Sequence, residues 1–189
     1  QPAPGIKESI FWLLDLLNLE SVKKIIIPYN SQLDNHGFKS TIRLRYPHLD
    51  FTLLSLSEPT CGNAETISVA LHQLSASDLK SNFVVMDCDT FYYDDVIEMY
   101  NKSPIKNAIF YSLDYNRAPI FSYIKVENDL VTEIKEKQKI SDFANCGIFC
   151  ANDGYTLQKY CSMLLSNGNK QKNEFYTSGI FDLMLKDNI

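Results

Sequence analysis

The chain has 189 residues, 45% of them hydrophobic, and a formal net charge of −5 from 18 lysines and arginines against 23 aspartates and glutamates. This length and apolar content suffice for one ordinary domain with a hydrophobic core, and the acidic balance argues against a nucleic-acid partner, which normally requires a basic surface. No stretch approaches the roughly 18 consecutive apolar residues of a membrane span, and no signal sequence is recognisable, so we expect no membrane partner.

The cysteine content bears on the compartment. The number of cysteines is odd, and no Cys-x-x-Cys pair of the kind that holds zinc is present; the cysteines are Cys61, Cys88, Cys146, Cys150 and Cys161. This pattern favours a reduced, intracellular protein over a secreted, disulfide-linked one. We therefore expect a cytoplasmic location.

The first half of the chain alternates between helices and strands. The predicted elements are a helix at 6–18, strands at 24–28 and 51–54, a helix at 65–74, a strand from Phe83 that ends at Asp87, a helix near 94–101 and a strand at 107–112. A mixed segment without a clear period runs up to Arg45. The alternation predicts an α/β fold, a three-layer α/β/α, Rossmann-like arrangement around a mostly parallel mixed sheet.

The second half of the chain has a different pattern. Residues 120–126 and 130–136 alternate between apolar and polar side chains with a period of two, and Glu127-Asn128-Asp129 separates them. This pattern predicts an antiparallel hairpin inserted into the fold. A strand at 146–150 and helices at 155–165 and 175–185 complete the expected elements.

The most distinctive motif is an apolar run, starting at Phe83, that ends in Asp87-Cys88-Asp89. Ligands of open α/β sheets bind where strands reach their carboxyl ends. In an extended backbone, residues i and i+2 point the same way, so both carboxylates could address one divalent cation that carries phosphates. The motif therefore predicts a site for Mg²⁺ (or Mn²⁺) and a nucleotide.

Two other interpretations of this motif stay open. The aspartates could simply open a turn and cap the helix that starts near Asp94. A haloacid-dehalogenase phosphatase also begins with Asp-x-Asp after a strand, but its motif needs Thr or Val four residues after the first Asp. Phe91 occupies that position here, and the motif lies in the middle of the chain.

Further segments join this motif in a recognisable order. They are Gly5 with the helix that follows it, the strand at 24–28, the loop Thr60-Cys61-Gly62-Asn63-Ala64-Glu65-Thr66, the pair Asp87-Cys88-Asp89, the hairpin with Ser122-Tyr123 that ends at Glu136-Lys137, the strand Asn145-Cys146-Gly147-Ile148-Phe149, and Asn173-Glu174-Phe175-Tyr176. Together they resemble the sugar-1-phosphate nucleotidyltransferases, or nucleotide-sugar pyrophosphorylases, of the glycosyltransferase-A type fold. The resemblance covers almost the whole chain.

The resemblance implies an enzyme that transfers a nucleoside monophosphate from a nucleoside triphosphate to a sugar 1-phosphate, or to a similar phosphorylated small molecule, and releases pyrophosphate. The triphosphate and the sugar phosphate would be its partners and Mg²⁺ its cofactor, and homo-oligomerisation stays open. Such a reaction needs positioning and charge neutralisation but no covalent nucleophile.

The resemblance also implies a set of site residues. Asp89 and Asp87 would be the catalytic, metal-binding pair. The nucleotide would contact Thr60, Gly62, Asn63, Ala64 and Glu65, and the substrate would contact Tyr123, Glu136, Lys137, Asn145, Gly147 and Glu174.

Ordinary structural roles are the alternative for several of these residues. The segment 62–66 could be a plain turn with a helix cap, and Glu136 and Lys137 could be an exposed charged strand end. Glu174 could compensate the dipole of the helix that it starts.

Two departures from the family pattern concern the ends of the chain. The glycine-rich phosphate loop and its strand would precede Gln1, and a strand with a second metal-binding aspartate would follow Ile189 in many members. We expect residues 1–189 to form a single nucleotidyltransferase-like domain that is incomplete at its N terminus. Whether the domain is also incomplete at its C terminus stays open. Either the chain omits parts of a larger protein, or it is a reduced homologue.

Three functional classes follow. The first is the nucleotidyltransferase. The second is a glycosyltransferase of the same fold that uses a nucleotide sugar. The third is a noncatalytic nucleotide-sugar-binding domain, which the missing phosphate loop suggests.

Overall fold

A computed structural model of the chain describes residues 8–168 and 170–189. The described residues form two compact units, the first within Gln1–Thr60 and Cys88–Lys102 and the second within Cys61–Asp87 and Ser103–Ile189. The interpretation of Gly5 and the predicted helix start at 6–7 lie outside the described residues. The assignment of residues 1–189 to a single domain stays a prediction.

The described residues form six α-helices and seven β-strands. The helices are α1 (Ser9–Leu16), α2 (Phe38–Arg45), α3 (Asn63–Leu71), α4 (Val96–Lys102), α5 (Gly154–Asn167) and α6 (Thr177–Lys186). The strands are β1 (Ile25–Asn30), β2 (Phe51–Leu56), β3 (Phe83–Met86), β4 (Ala108–Leu113), β5 (Ser122–Glu127), β6 (Leu130–Glu136) and β7 (Phe143–Ala151). No helix in the described part of the chain is both long enough and apolar enough to cross a membrane.

The first unit contains the parallel pair β1 and β2, in register from Ile25 opposite Phe51 to Asn30 opposite Leu56. Its core is a cluster of buried side chains from α1 and α2 and the residue after α2: Phe11, Leu14, Ile42 and Tyr46. The sequence predicted no helix at α2, because Phe38 and Ile42 give only one i,i+4 apolar pair, and the third apolar residue, Leu44, lies off that face and is exposed.

A polar contact joins α1 to the end of α2 in this unit. Asp15 accepts hydrogen bonds from the guanidinium of Arg45 and the hydroxyl of Tyr46, each at 2.5 Å. Burial raises the pKa of the Tyr46 phenol to about 12, so this phenol stays a neutral donor across the physiological range.

The second unit is organised around β7. Residues 148–151 of β7 pair with β3, residues 143–145 and 149–150 pair with β4, and Ala144 also pairs with β5. All of these pairs are antiparallel, as is β5 with β6. The prediction of a mostly parallel sheet is therefore wrong for this unit, because β7 runs against the strands on both of its edges. The mixed α/β class is confirmed.

The predicted hairpin is confirmed as β5 and β6. Its turn has Asn128 at φ +51° and Asp129 at φ +62°. Two consecutive left-handed residues match the right-handed twist of the flanking strands, and Asn and Asp tolerate that conformation better than most residues.

Helices α3, α5 and α6 supply the core of the second unit. Leu157, Tyr160 and Ile180 are fully buried there against residues of the sheet such as Ile124 and Phe149. Cys150 and Cys161 are also buried, and burial raises the pKa of each thiol to about 12. These two thiols are packing groups rather than nucleophiles.

We predict that Gly154→Ala lowers the free energy of unfolding by about 1–3 kcal/mol, because overpacking forces neighbours to move. A Cβ at Gly154 would lie 2.7 Å from Leu79 and Phe83 side-chain carbons and 3.0 Å from the Leu79 Cα. Urea unfolding measures the change. Ser162→Ala, at an exposed position of the same helix, is the control, and equal stability of the two variants would contradict the prediction.

Candidate functional site

The carboxylate of Asp87 follows β3 directly and lies over the backbone of Gly147. The Asp87 N–H donates to the Gly147 carbonyl at 2.9 Å. A Cβ at Gly147 would come within 2.7 Å of Asp87 Oδ2, and Gly147 has φ +83°. Both the space and the backbone conformation therefore require glycine at 147, and the absence of a side chain there is what admits the carboxylate.

Asn145 holds this part of β7 in place. Its Oδ1 accepts from the Gly147 N–H at 2.9 Å, and its Nδ2 donates to the carbonyls of Phe110 and Ile148 at 3.0 Å each. Asn145 is 6% exposed. With its amide engaged in this way, Asn145 supports the β7 backbone, whereas the sequence suggested a lining of the sugar pocket.

The N-terminus of α3 lies beside the same carboxylate. The Asn63 side-chain amide is 3.4 Å from Asp87 Oδ1. Gly62, at φ +111°, precedes the helix, and a Cβ there would lie 2.6 Å from the Phe175 carbonyl oxygen. The close approach that Gly62 permits is thus an approach to Phe175.

Backbone hydrogen bonds secure this approach. The Phe175 N–H donates to the Cys61 carbonyl at 2.7 Å, and the Ala64 N–H donates to the Phe175 carbonyl at 3.0 Å. Glu65 accepts from the Cys61 N–H, much as a capping-box glutamate does. The proposed nucleotide loop is therefore anchored by the segment that leads into α6, and Glu65 has a structural role in it.

Glu136 ends β6 as a buried carboxylate, 7% exposed. Its Oε2 accepts from the Ser122 hydroxyl at 2.5 Å and from the Ser178 hydroxyl at 2.7 Å. The alternative of an exposed, solvated strand end is therefore wrong for Glu136. A carboxylate that is held by neutral donors keeps acceptor capacity for a further hydroxyl.

Lys137 follows Glu136 and contacts Tyr176. Its Nζ donates to the Tyr176 hydroxyl at 2.6 Å and lies 4.4 Å from the ring centroid. The hydrogen bond to Tyr176 raises the pKa of the Lys137 ammonium, and nearby Glu136 and Glu174 act in the same direction. The side chain therefore stays cationic throughout the neutral range.

The prediction for Tyr123 is corrected by the structure. The sequence suggested a substrate contact, but Tyr123 is fully buried and its hydroxyl donates to Asp114 Oδ2 at 2.6 Å. Burial raises the pKa of Tyr123, and the bond from Tyr123 is the largest cause of a lowered pKa at Asp114. The stability that ionised Asp114 contributes is present at neutral pH and is lost as the pH falls through its lowered pKa.

Thr60 and Asp89 lie in the first unit. Strand β3 ends at Met86, and Cys88 and Asp89 form a turn. The expectation that the carboxylates of Asp87 and Asp89 point the same way assumed an extended backbone, so it does not apply. The turn itself matches the plainer interpretation of the motif. Asp95 supports that interpretation too, because its Oδ1 accepts from the Glu98 N–H at 2.9 Å and so caps α4.

The second unit brings several of its predicted site residues into two connected groups. Asn63, Asp87 and Gly147 form one, and Glu136 and Lys137 with the start of α6 form the other. Phe175 connects them, since its backbone holds the α3 loop and Tyr176 follows it in the chain. Glu174 is exposed beside Tyr176.

Two residues of the second group were not assigned from the sequence. Tyr176 is the last residue of the motif that begins at Asn173, but the resemblance implies no role for it, and Ser178 lies outside every motif. Neither could be found without the tertiary contacts to Lys137 and Glu136, which lie about 40 positions earlier.

The carboxylate of Asp87 could bind a hard cation only together with oxygen ligands from a substrate. Within residues 8–168 and 170–189, no group of three or more His, Cys, Asp or Glu side chains could hold a metal ion. Mg²⁺ is commonly bound by one or two carboxylates together with substrate phosphates and water. The exposed carboxylate of Asp87 is compatible with that mode.

We predict that Gly147→Ala lowers the free energy of unfolding by about 1–3 kcal/mol, because the new methyl group meets Asp87 and the backbone is left-handed. In the Asp87→Ala background the same change should cost less, because the 2.7 Å contact with the carboxylate is gone and only the 3.1 Å contact with the Cβ of residue 87 and the backbone part, about 1 kcal/mol, remain. Denaturant unfolding of the four proteins in this double-mutant cycle measures the coupling. Additive effects would contradict the assigned contact.

Comparisons with known proteins give matches in structure but not in sequence. No protein-family model matches the chain. No curated protein shows significant similarity to it.

Solved structures do share its architecture. The nucleoside-diphosphate-sugar pyrophosphorylase from Vibrio cholerae RC9 matches with a TM-score of 0.71 at 17% identity, over 90% of this chain and 71% of that chain. A Bacillus anthracis protein assigned as a glucose-1-phosphate thymidylyltransferase matches with a TM-score of 0.68 at 15% identity, over 95% of this chain and 69% of that one. The inositol-1-phosphate CTP transferase from T. maritima matches with a TM-score of 0.59 at 12% identity, over 88% and 63%. The chain therefore has the fold of the sugar-1-phosphate nucleotidyltransferases.

Proposed function

We propose that the protein is a metal-dependent nucleotidyltransferase that joins a nucleoside monophosphate to a sugar 1-phosphate, or to a similar phosphorylated small molecule, with release of pyrophosphate. The observation that carries the proposal is the convergence, in the second unit of this fold, of the Asp87 carboxylate with the α3 N-terminus. The neighbours' names support the reaction class. We also propose the three-layer α/β/α, Rossmann-like arrangement of helices and strands that the sequence predicts.

The nucleotide would bind at the loop before α3. Gly62 and Asn63 present backbone and amide groups there, and the N-terminus of a helix favours a nearby anion. Ala64, which the sequence also assigned to the nucleotide, is fully buried with its N–H bonded to the Phe175 carbonyl, so it would only support the loop. The segment is held in shape by Phe175 and Glu65 before any ligand arrives. Thr60 is assigned to the nucleotide on the sequence alone.

The sugar phosphate would bind at the end of β6. Glu136 would accept sugar hydroxyls with the acceptor capacity that Ser122 and Ser178 leave. Lys137 would pair with the phosphate as a point charge. Glu174 is exposed and could accept a further hydroxyl, whereas Tyr123, Asn145 and Gly147 would act through the backbone and core that they support.

Mg²⁺ or Mn²⁺ is the proposed cofactor. Asp87 would hold it together with substrate phosphates, and when bound it would supply positive charge to phosphate oxygens. Asp89 stays the second metal ligand that the resemblance implies, an assignment that rests on the sequence.

The chain's own contribution would be to place the reactants in line. The sugar phosphate oxygen attacks the α-phosphorus of the triphosphate, and pyrophosphate leaves, so no covalent intermediate on the protein is needed. Lys137 would offset the negative charge of the attacking phosphate, and Glu136 would fix the orientation of the ring.

The test is pyrophosphate release by the wild-type chain with Mg²⁺, across the common nucleoside triphosphates and sugar 1-phosphates. We predict that Asp89→Ala and Asp87→Ala each reduce the rate by about 100-fold or more, the scale of losing one charge-stabilising group. Asp94→Asn, at a nearby exposed carboxylate, should retain the rate.

Two results would overturn the proposal. If both aspartate variants keep the wild-type rate and the wild-type Mg²⁺-dependent affinity for nucleotide, the assigned metal site is contradicted. Binding of nucleotide sugars in a thermal-shift screen, without pyrophosphate release from any triphosphate, would favour a glycosyltransferase or a binding domain.

A further inference from the structure

The contact between Lys137 and Tyr176 joins two fixed pieces of backbone. Lys137 has φ +50°, a left-handed conformation that is uncommon for lysine. Its N–H donates to the Phe121 carbonyl at 2.8 Å. Strained residues of this kind persist where the surrounding structure holds them, often at ligand sites.

Tyr176 is held equally firmly on its other side. It is the N-cap residue of α6, directly after Phe175, whose backbone is bonded to Cys61 and Ala64. Two residues later, Ser178 donates to the carboxylate of Glu136. The first turn of α6 therefore contacts both members of the strand-end pair Glu136-Lys137.

The hydrogen-bond directions are set by the groups involved. An ammonium can only donate, so the Tyr176 oxygen accepts from Lys137. The bond from Lys137 is the largest influence on the pKa of Tyr176 and lowers that pKa. The neighbouring Glu174 carboxylate and burial raise the pKa, and the net shift is upward.

We propose that Tyr176 is a positioning residue, which holds the Lys137 ammonium ready for the phosphate of the sugar phosphate; this inference rests on the proposed function. One of the three ammonium protons is used by the phenol, and two remain for phosphate oxygens. A lysine side chain is flexible and loses rotamer freedom when it binds an anion. Tyr176 removes much of that freedom beforehand, through its hydroxyl and through its ring.

The test uses Tyr176→Phe, which keeps the ring and removes the hydroxyl. Lysine side-chain NMR over a pH titration reports the pKa of Lys137, with Lys137→Arg to assign the signal. The pKa should fall from its raised value toward the ordinary one in Tyr176→Phe. In Tyr155→Phe, which loses a phenol of α5 bonded to the Ala76 carbonyl, the pKa should stay unchanged.

Binding gives the second measurement. Inorganic phosphate and glucose 1-phosphate are titrated into wild type and variants while the Lys137 signal is followed. We expect about 10- to 150-fold weaker binding of glucose 1-phosphate to Tyr176→Phe, the range that loss of one charge-assisted hydrogen bond gives. In the pyrophosphate assay, KM for the sugar phosphate should rise while kcat and KM for the triphosphate change little.

The outcomes separate this inference from the proposed function. Unchanged Lys137 pKa and affinity in Tyr176→Phe would overturn the positioning role, even if wild type releases pyrophosphate. A Lys137 signal that neither phosphate nor glucose 1-phosphate perturbs would overturn it as well. A shifted Lys137 pKa together with weaker phosphate-ester binding would support it, whether or not the pyrophosphate assay succeeds.

Discussion

An irregularity in the pairing of β7 with β4, between Asn145 and Phe149 of β7, is the constraint on which the second unit depends. β3 and β5 pair along one edge of β7, and β4 pairs along the other. At Gly147 the backbone turns to positive φ, and its carbonyl accepts the N–H of Asp87. Asn145 bonds the freed backbone groups. The central strand of the sheet thus also supports the carboxylate that we assign to the metal, and a side chain at 147 would disturb both.

The start of α6 is the second organising element. Phe175 holds the loop before α3, Tyr176 holds Lys137, and Ser178 holds Glu136. Three residues of one short segment therefore connect the proposed nucleotide loop with the proposed sugar-phosphate residues. Such an arrangement fixes side chains from distant parts of the chain before ligands bind, which lowers the entropic cost of binding.

The two buried carboxylates of this unit illustrate different uses of the same group. Asp114 accepts from Tyr123 and from both the N–H and the amide of Asn116, so its acceptor capacity is largely used and its role is structural. Glu136 receives two serine hydroxyls on the same oxygen, which leaves capacity for a ligand. The difference lies in the number of donors that surround each carboxylate.

Much of the local structure was determined by the sequence itself. Apolar runs, and alternation in the hairpin, located every described strand to within a few residues. The hairpin turn was predicted at Glu127-Asn128-Asp129, of which Glu127 is the last residue of β5. The position of Asp87 at a strand end was also predicted, because a strand ends where its apolar run ends. Helix α2 was not predicted, because the single i,i+4 pair Phe38 and Ile42 is too short an apolar stripe.

Only the tertiary structure decided which residues meet. The antiparallel course of β7, the burial of Tyr123, the engagement of Asn145 with the backbone, and the contacts of Tyr176 and Ser178 depend on pairings between residues far apart in the chain. Local propensity and periodicity carry no information about such pairings. The physical reason is that strand pairing and side-chain burial are set by packing of the whole unit, whereas the pattern along a segment reports only which of its faces is apolar.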